Sequence, residues 1–325
     1  MRRGPFDGLP DLVEETYKLV AQVPKGRVTT YGAVARALGD VAASRFVGVV
    51  MSENSDIERV PCRRVVLSDG HVGGYTGGGT PKKIRLLKEE GIEIVGDRIT
   101  DLDRFLFDEF EIGRRPLEDL RKRQIELRKR LVLKKFSRPI DRVAGIDVAY
   151  NHDHAFAAMV TFEYPSLQEL DRTVVRGEAR FPYIPTYLGF REIPLIAPLM
   201  GLVGKRTVVM YDGNGTLHPE GIGITSQVGV AFGVPTVGVA KKLLCGTVSG
   251  KEVEGAHPVL FKNRVIGYSL SKPGQSRQVY VSPGHLVSSL QALNFAKSTL
   301  RFRIPEPVRR AHIVAEAARH GQNPK

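Results

Sequence analysis

Cysteine is scarce in this sequence, with only Cys62 and Cys245 among 325 residues. Two cysteines cannot build the disulfide framework of a small secreted domain, so we expect a reducing, cytoplasmic setting. Long apolar runs are also missing, and no segment approaches the roughly 20 apolar residues that cross a bilayer. Acidic residues interrupt the first twenty positions, which excludes the apolar core of a signal peptide there. The sequence therefore predicts a protein with no membrane partner.

Acidic residues are outnumbered by basic ones. The chain has 48 Lys and Arg against 35 Asp and Glu, which gives a formal net charge of +13 and a pI near 9.8. Such a balance favours a polyanionic partner, and nucleic acid is the leading candidate. On charge alone, a basic enzyme that binds no nucleic acid is the alternative.

The length predicts two domains, because 325 residues exceed the roughly 150 of a common single domain. A change in residue composition along the chain indicates where they meet. Residues 114–139 carry eleven Lys or Arg and three acids in an amphipathic helical pattern. We place an amino-terminal domain at 1–97, a linker at 98–116 and a carboxy-terminal domain at 117–325. Apolar strands alternate with helical patterns after Pro139, which predicts an α/β fold with a mixed sheet flanked by helices.

Two short helical patterns lie close together near the amino terminus. Thr30 is a suitable N-cap and Gly39 a suitable stop for the first helix, and the second covers about residues 42–51. Two short helices joined by a glycine-containing turn predict a helix-turn-helix.

Cys62 lies in "VPCRRVV", directly before Arg63 and Arg64. Positive charge beside a thiol favours the thiolate, which is the nucleophilic form. Taken alone, a structural cysteine is the alternative. The helix-turn-helix, Asn54, Pro-Cys-x-Arg-Val-Val, Gly-Gly-Tyr and "IRLLKEEG" follow one another over residues 20–95. This order resembles the active-site domain of O6-alkylguanine-DNA alkyltransferases.

The resemblance implies a winged-helix-like domain in which Cys62 takes an alkyl group from a flipped guanine in DNA, with no cofactor. The further roles that it implies are base extrusion and protonation at Tyr31, intrusion into the duplex at Arg45, support of the active-site turn at Asn54, the guanine pocket at Val65, Tyr75 and Thr76, and the acid of a proton relay at Glu90.

Arg63 departs from this pattern, because the family usually has a histidine that links the thiol to the acid. A guanidinium cannot accept a proton, but its charge can favour the thiolate. Two readings follow. Either alkyl transfer uses a different activation, or the domain only binds or recruits alkylated lesions.

Three carboxylates form a second candidate site. Asp147 lies inside an apolar strand pattern, Asp212 closes a second one, and Glu192 is near the start of a helix. A charge within an apolar strand is costly unless it is paired or binds metal. Carboxylates brought together from separate strands suit a hard cation such as Mg²⁺. For any single aspartate, a capped or solvated strand end is the alternative.

A set of motifs over residues 117 to about 315 resembles endonuclease V: "GIDVAY", "FPYIP", "FRE", "DGNGTLHP", "GVAKK", "VYVSPGH" and "RIPEPVRRAH". The resemblance implies a ribonuclease H-like fold and nicking of DNA at the second phosphodiester on the 3′ side of deoxyinosine, with Mg²⁺ or Mn²⁺. The implied roles are metal binding at Asp147 and Asp212, completion of the acidic site at Glu192, placement of the attacking water at His285, a strand-separating wedge at 182–185 that includes Tyr183, phosphate contact at Lys241, and the hypoxanthine pocket at Gly213.

Two departures concern this second resemblance. Thr186 stands where a glycine usually follows the wedge, and Gln227 stands where a histidine is common. Together the two resemblances predict a monomeric, bifunctional DNA-repair enzyme acting on O6-alkylguanine and deoxyinosine. The alternatives are a nuclease whose first domain only recognises alkylated lesions, and a ribonuclease specific for inosine in RNA.

Overall fold

The computed structural model describes residues 4–152, 154–272, 274 and 277–322. The chain forms two compact units. The amino-terminal unit comprises residues 8–122 and 182–185, and the sheet unit comprises residues 1–7, 123–181 and 186–325. No described helix combines the length and the apolar character needed to span a bilayer.

The amino-terminal unit contains short helices and two small sheets. Its elements are α1 (Leu12–Val20), β1 (Thr29–Thr30), α2 (Tyr31–Leu38), α3 (Ser44–Glu53), β2 (Val65–Val66), α4 (Gly79–Glu89), β3 (Ile94–Val95), β4 (Arg98–Ile99), α5 (Leu102–Phe105) and the first part of α6 (Pro116–Arg128). Strand β1 pairs parallel with β2, and β3 pairs antiparallel with β4.

Helices α2 and α3 form the predicted helix-turn-helix. The hydroxyl of Thr30 accepts the Ala33 N–H at 3.0 Å, and Gly39 ends α2 with φ = 111°. Only a residue without Cβ adopts that φ at low cost, which explains the glycine. The second helix starts at Ser44, later than predicted, because Val41–Ala43 form a separate 3₁₀ turn.

The residues predicted as a linker, 98–116, lie within the amino-terminal unit. Ile99 and Phe105 are buried in its core with Val28 and Leu87. The backbone also joins these segments, since the Val28 N–H donates to the Phe105 carbonyl at 2.9 Å. The division between the units falls inside α6, after Lys122. The limits of the functional domains stay a prediction.

The sheet unit is a nine-stranded mixed sheet with helices on both faces, as the alternating pattern predicts. Its elements are β5 (Arg142–Asn151), β6 (His154–Glu163), β7 (Glu169–Glu178), α7 (Leu188–Met200), β8 (Thr207–Asp212), α8 (Ile224–Phe232), β9 (Thr236–Ala240), β10 (Thr247–Val248), β11 (His257–Phe261), β12 (Arg264–Leu270), β13 (Val279–His285), α9 (Ser289–Ser298) and α10 (Glu306–Arg319).

The strand order is β10-β11-β12-β13-β9-β8-β5-β6-β7. The pairs β5–β8 and β8–β9 are parallel, and the other pairs are antiparallel. Helices α9 and α10 pack on one face, and α7 and α8 pack on the other. Because side chains alternate along a strand, successive residues of β5 and β8 point to different helices.

Several elements differ from the sequence-based expectation. Residues 258–268 do not form one continuous strand but belong to the hairpin β11–β12, which turns at Lys262 and Asn263 with φ of 50° and 59°. Strand β7 was not predicted, because this edge strand is largely exposed and lacks an apolar pattern. Helices α9 and α10 were also not predicted.

Strand β5 and helix α10 approach each other closely at Gly145. A Cβ atom on Gly145 would lie 1.9 Å from the carbonyl oxygen of Pro307 and 2.1 Å from its carbonyl carbon. Both are backbone atoms, so a side chain could not be accommodated by a rotamer change. The glycine therefore allows the contact that seats α10 on the centre of the sheet.

We predict that Gly145→Ala lowers the free energy of unfolding by about 3 kcal/mol or more, because α10 must move away from β5. Denaturant unfolding of the full chain measures the change. Gly250→Ala is the matched control, since a Cβ there meets nothing within 4 Å, and it should shift stability by less than about 0.5 kcal/mol. Equal effects of the two substitutions would contradict the interpretation.

Candidate active sites

Two carboxylates are adjacent at the centre of the sheet. Strand β5 pairs parallel with β8 so that Ile146 lies opposite Tyr211. The next residues, Asp147 and Asp212, are therefore neighbours whose side chains point to the same face. Helix α10 adds His312, whose Nδ1 lies 2.7 Å from Asp147 Oδ2. One ligand atom from each of Asp147, Asp212 and His312 lies within 4.8 Å of the others.

The electrostatics of this trio suit a divalent cation. Burial raises the pKa of Asp212, and the charge of Asp147 raises it further. Lys241 opposes this, with its Nζ 2.6 Å from Asp212 Oδ2. Two carboxylates that repel each other suit Mg²⁺ or Mn²⁺, because these ions prefer oxygen ligands and the ion removes the repulsion. His312 lies beside them through its contact with Asp147.

His312 and not His285 is the imidazole beside the carboxylates. Its hydrogen bond to Asp147 raises the pKa of His312. His285 pairs across the sheet with Thr236, whereas Asp212 pairs with Val239, three residues further along. That offset is about 10 Å along the strands.

The structure does not bring His285 together with Asp147 and Asp212, and its role beside an attacking water stays a prediction. His285 is buried, and its Nδ1 accepts the backbone N–H of Val132 at 3.2 Å. His312 ends the motif "RIPEPVRRAH", but its role was missed because α10 was not predicted. A histidine on a helix that packs against the aspartate strand was the available signal.

Glu192 reaches the same region from α7 on the other face of the sheet. Tyr150 donates a hydrogen bond to its Oε1 at 2.8 Å, and Tyr211 donates to its Oε2 at 2.7 Å. Burial raises the pKa of Glu192 to about 7, while the two tyrosine hydroxyls act in the opposite direction. Glu192 is not among the described residues whose ligand atoms cluster with Asp147.

The remaining residues predicted for the nuclease are placed as follows. Tyr183 is 60% exposed, and the neighbouring Ile184 is fully buried. Gly213 is tightly packed, since a Cβ there would lie 2.6 Å from Ile224 Cγ2. Thr186 has φ = 72°, the left-handed region in which a glycine costs least. Wedge and pocket roles stay predictions.

Cys62 lies on a short 3₁₀ turn, Cys62–Arg64, and is only 4% exposed. Its N–H donates to the Val60 carbonyl at 2.7 Å. The Asn54 amide donates to the same carbonyl at 3.0 Å, and its Oδ1 accepts the Asp56 N–H at 3.0 Å. Asn54 thus ties the segment before the cysteine to the end of α3.

Arg63 and Arg64 both bind Glu90. The Nε of Arg63 lies 2.7 Å from Oε1, and the Nε of Arg64 lies 2.7 Å from Oε2. Burial raises the pKa of Glu90, but the two arginines outweigh it and leave the pKa below its usual value. Glu90 is therefore an ionised anchor for two guanidinium groups, with arginine in the place of the relay histidine.

Lys83, on α4, is a residue that the sequence reasoning missed. Its side chain is fully buried, and its Nζ donates to the Val65 carbonyl at 2.7 Å and to the Gly74 carbonyl at 3.3 Å. Burial lowers its pKa to about 8, and attraction to Cys62 opposes that change. The available signal was its position four residues before the buried Leu87, on the inner face of α4.

The other predicted residues of this site fall into two groups, those that interact with the thiol and those that are exposed. Burial and the neighbouring Cys62 raise the pKa of Tyr31 and of Tyr75, so both rings lie near the thiol. Arg45, on α3, and Thr76 are exposed. The two phenols and the buried amine thus share electrostatic interactions with the one thiol.

Comparison with known proteins identifies a family for each of two regions of the chain. Residues 125–313 match the family described as Endonuclease V, and residues 11–92 match the 6-O-methylguanine DNA methyltransferase, DNA binding domain. A Bifunctional methyltransferase/endonuclease from Picrophilus torridus is 38% identical over 93% of this chain and 95% of its own length. An Endonuclease V from Thermofilum pendens is 42% identical over 63% of this chain and 90% of its own.

Solved structures match the sheet unit. The crystal structure of the Endonuclease V from Streptomyces avermitilis is 33% identical, with a TM-score of 0.58, and covers 63% of this chain and 93% of its own. That of human ENDOV is 30% identical, with a TM-score of 0.56, and covers 62% and 97%. The chain therefore belongs to the endonuclease V family and joins that domain to one of the 6-O-methylguanine DNA methyltransferase type, as in the bifunctional methyltransferase/endonucleases.

Proposed function

We propose that this chain is a monomeric DNA-repair enzyme with two activities. One is a nuclease that depends on a divalent cation and nicks DNA at the second phosphodiester on the 3′ side of deoxyinosine. The other is irreversible transfer of an alkyl group from O6-alkylguanine in DNA to Cys62. The observation that carries the first is the convergence of Asp147, Asp212 and His312 within 4.8 Å.

In the nuclease, Asp147 and Asp212 would hold the cation, Mg²⁺ or Mn²⁺. The bound ion would supply Lewis acidity toward a phosphodiester and toward water. His312 is oriented by its Nδ1 contact with Asp147, so Nε2 is the ring atom that exchanges a proton with solvent or substrate. Lys241, whose Nζ now lies 2.6 Å from Asp212 Oδ2, would be available to contact a substrate phosphate once Asp212 held the cation.

The substrate assignment draws on the endonuclease V relatives. The Ciona intestinalis Endonuclease V, 25% identical with a TM-score of 0.58, has a crystal structure in complex with a 24mer DNA containing an inosine followed by a ribo-adenosine. The exposed Tyr183 between two prolines fits a wedge that keeps separated strands apart. A ribonuclease acting on inosine would use the same cation site, so the nucleic acid must be decided by experiment.

We predict that Asp147→Asn and Asp212→Asn each lower the rate of nicking by about 1000-fold, because each removes a carboxylate ligand. Labelled strands of matched sequence, containing deoxyinosine or inosine, measure nicking with Mg²⁺ and with chelator. Alkylation at Cys62 serves as the control and should persist. Faster cleavage of the RNA strand would replace the deoxyinosine assignment, and loss of both activities would contradict two separate sites.

Alkyl transfer is supported by the surroundings of Cys62. The sulfur forms a bond to the alkyl carbon, the bond from that carbon to O6 breaks, and its electron pair stays on the purine, which takes up a proton. Tyr31 lies near the thiol and can donate that proton. Arg63 and Arg64 occupy both oxygens of Glu90, so this carboxylate does not act as the base for the thiol. Burial lowers the pKa of Lys83 to about 8, so its neutral amine would take up the thiol proton, and the ammonium group so formed would pair with the sulfur.

We predict that Lys83→Met slows alkyl transfer by about 100-fold or more, because the thiolate loses the buried cation beside it. Lys82→Met is the matched control: Lys82 is exposed and adjacent in sequence, and its loss should leave the rate within about twofold. Mass spectrometry of the protein after incubation with an O6-methylguanine duplex measures the added methyl group. Cys62→Ala should show none, and a wild type that gains none would favour a domain that only recognises the lesion.

A further inference from the structure

The carboxylate of Glu192 is held by two tyrosine hydroxyls, one on each oxygen. Tyr150, from β5, binds Oε1 at 2.8 Å, and Tyr211, from β8, binds Oε2 at 2.7 Å. Glu192 is 6% exposed, and Tyr211 is 1% exposed. A carboxylate in such a place is costly without donors, and two phenol donors offset much of that cost.

The two tyrosines and the two aspartates point to opposite faces of the sheet. Tyr150 and Tyr211 point to the face that packs against α7, which carries Glu192. Asp147 and Asp212 point to the opposite face, toward α10. Tyr211 immediately precedes Asp212, so one strand end supplies a donor to Glu192 on one face and an acidic ligand on the other.

Glu192 reaches the strand end that carries Asp212, because its Oε2 accepts the hydrogen bond of Tyr211, the residue before Asp212. The charges of Asp147 and of Asp212 both raise the pKa of Glu192. A repelled carboxylate on a helix would turn away from the aspartates if nothing retained it. The two tyrosines, each fixed by its strand, oppose that rotation because they occupy both oxygens in one geometry.

Buried tyrosines usually satisfy their hydroxyl with a nearby acceptor, and a purely structural role is the alternative. Here, however, hydroxyls from two different strands converge on the same side chain, and that side chain is an acid next to two others. Convergence on one carboxylate is the pattern by which supporting groups orient a residue that acts at a metal site.

We propose that Tyr150 and Tyr211 are positioning residues of the nuclease, which hold Glu192 in the orientation that strengthens cation binding between Asp147 and Asp212. The inference rests on the proposed nuclease function. Removal of either hydroxyl leaves a buried carboxylate oxygen without its donor, and Glu192 then settles into another orientation.

The test measures Mn²⁺ binding to the full chain without DNA, by the electron paramagnetic resonance signal of the free ion. Tyr211→Phe and Tyr150→Phe should each weaken binding about tenfold, as expected for loss of one hydrogen bond to a charged group. Tyr268→Phe is the matched control, since it removes the hydroxyl of a buried tyrosine on β12 and should change binding less than twofold.

A double-mutant cycle separates positioning from a general loss of structure. In the Glu192→Gln background, Tyr211→Phe should weaken Mn²⁺ binding much less than it does in the wild type, because the carboxylate on which it acts is gone. The Mn²⁺ concentration that half-saturates nicking should rise in the tyrosine variants, while binding to uncleaved DNA in Ca²⁺ stays unchanged. Should Tyr211→Phe fail to fold, the same cycle with Tyr150→Phe decides the question.

Wild-type Mn²⁺ affinity in both tyrosine variants, or full additivity in the cycle, would overturn the positioning role. These outcomes differ from failure of the proposed function. A wild type that binds Mn²⁺ but does not nick deoxyinosine strands would remove the substrate assignment and leave the tyrosine result standing. A wild type that binds no Mn²⁺ would remove the cation site itself.

Discussion

The parallel pairing of β5 with β8 brings Asp147 beside Asp212, and the repulsion between these two carboxylates governs the rest of the nuclease site. Two basic side chains beside the carboxylates reduce that repulsion. Lys241 contributes a positive charge to Asp212, and His312 contributes a proton donor to Asp147. The contact of Gly145 with the backbone of α10 is what brings His312 within reach. A bound divalent cation would neutralise the negative charge that these side chains leave unbalanced.

The Cys62 site differs from the nuclease site, because nearby positive charge is what favours ionisation of a thiol. Three basic side chains are near it in sequence or in space, but they are not equivalent. Arg63 and Arg64 share Glu90, which draws their charge into ion pairs. Lys83 donates to two neutral carbonyls, and no carboxylate among the described residues forms an ion pair with it. Position, more than the number of cations, therefore decides which one can act on the thiol.

Sequence reasoning located the two aspartates because a charge inside an apolar strand is unusual, and strand periodicity is a strong signal. It placed the helix-turn-helix because Thr30 and Gly39 are local signals. It failed where the information lies in tertiary contacts. His285 and His312 are equally plausible histidines in the sequence, and only strand register shows that His285 pairs three residues away from the aspartates. Lys83 was missed because a lysine in an amphipathic helix is expected at the surface.

The contacts of Arg63, the residue after Cys62, show how this position differs from one occupied by a histidine. A histidine at this position would connect the thiol to Glu90 and needs a free carboxylate oxygen to do so. Arg64 alone makes two hydrogen bonds to Glu90, at 2.7 Å to Oε2 and 3.2 Å to Oε1, and Arg63 binds Oε1 at 2.7 Å. Both oxygens of the carboxylate are therefore paired with guanidinium groups, where the relay would pair Glu90 with an imidazole. Glu90 retains a structural purpose, because it fixes the turn that carries Cys62 to the end of α4. Retention of the acid is thus no evidence for the relay, and reactivity of the thiol must be judged from Lys83.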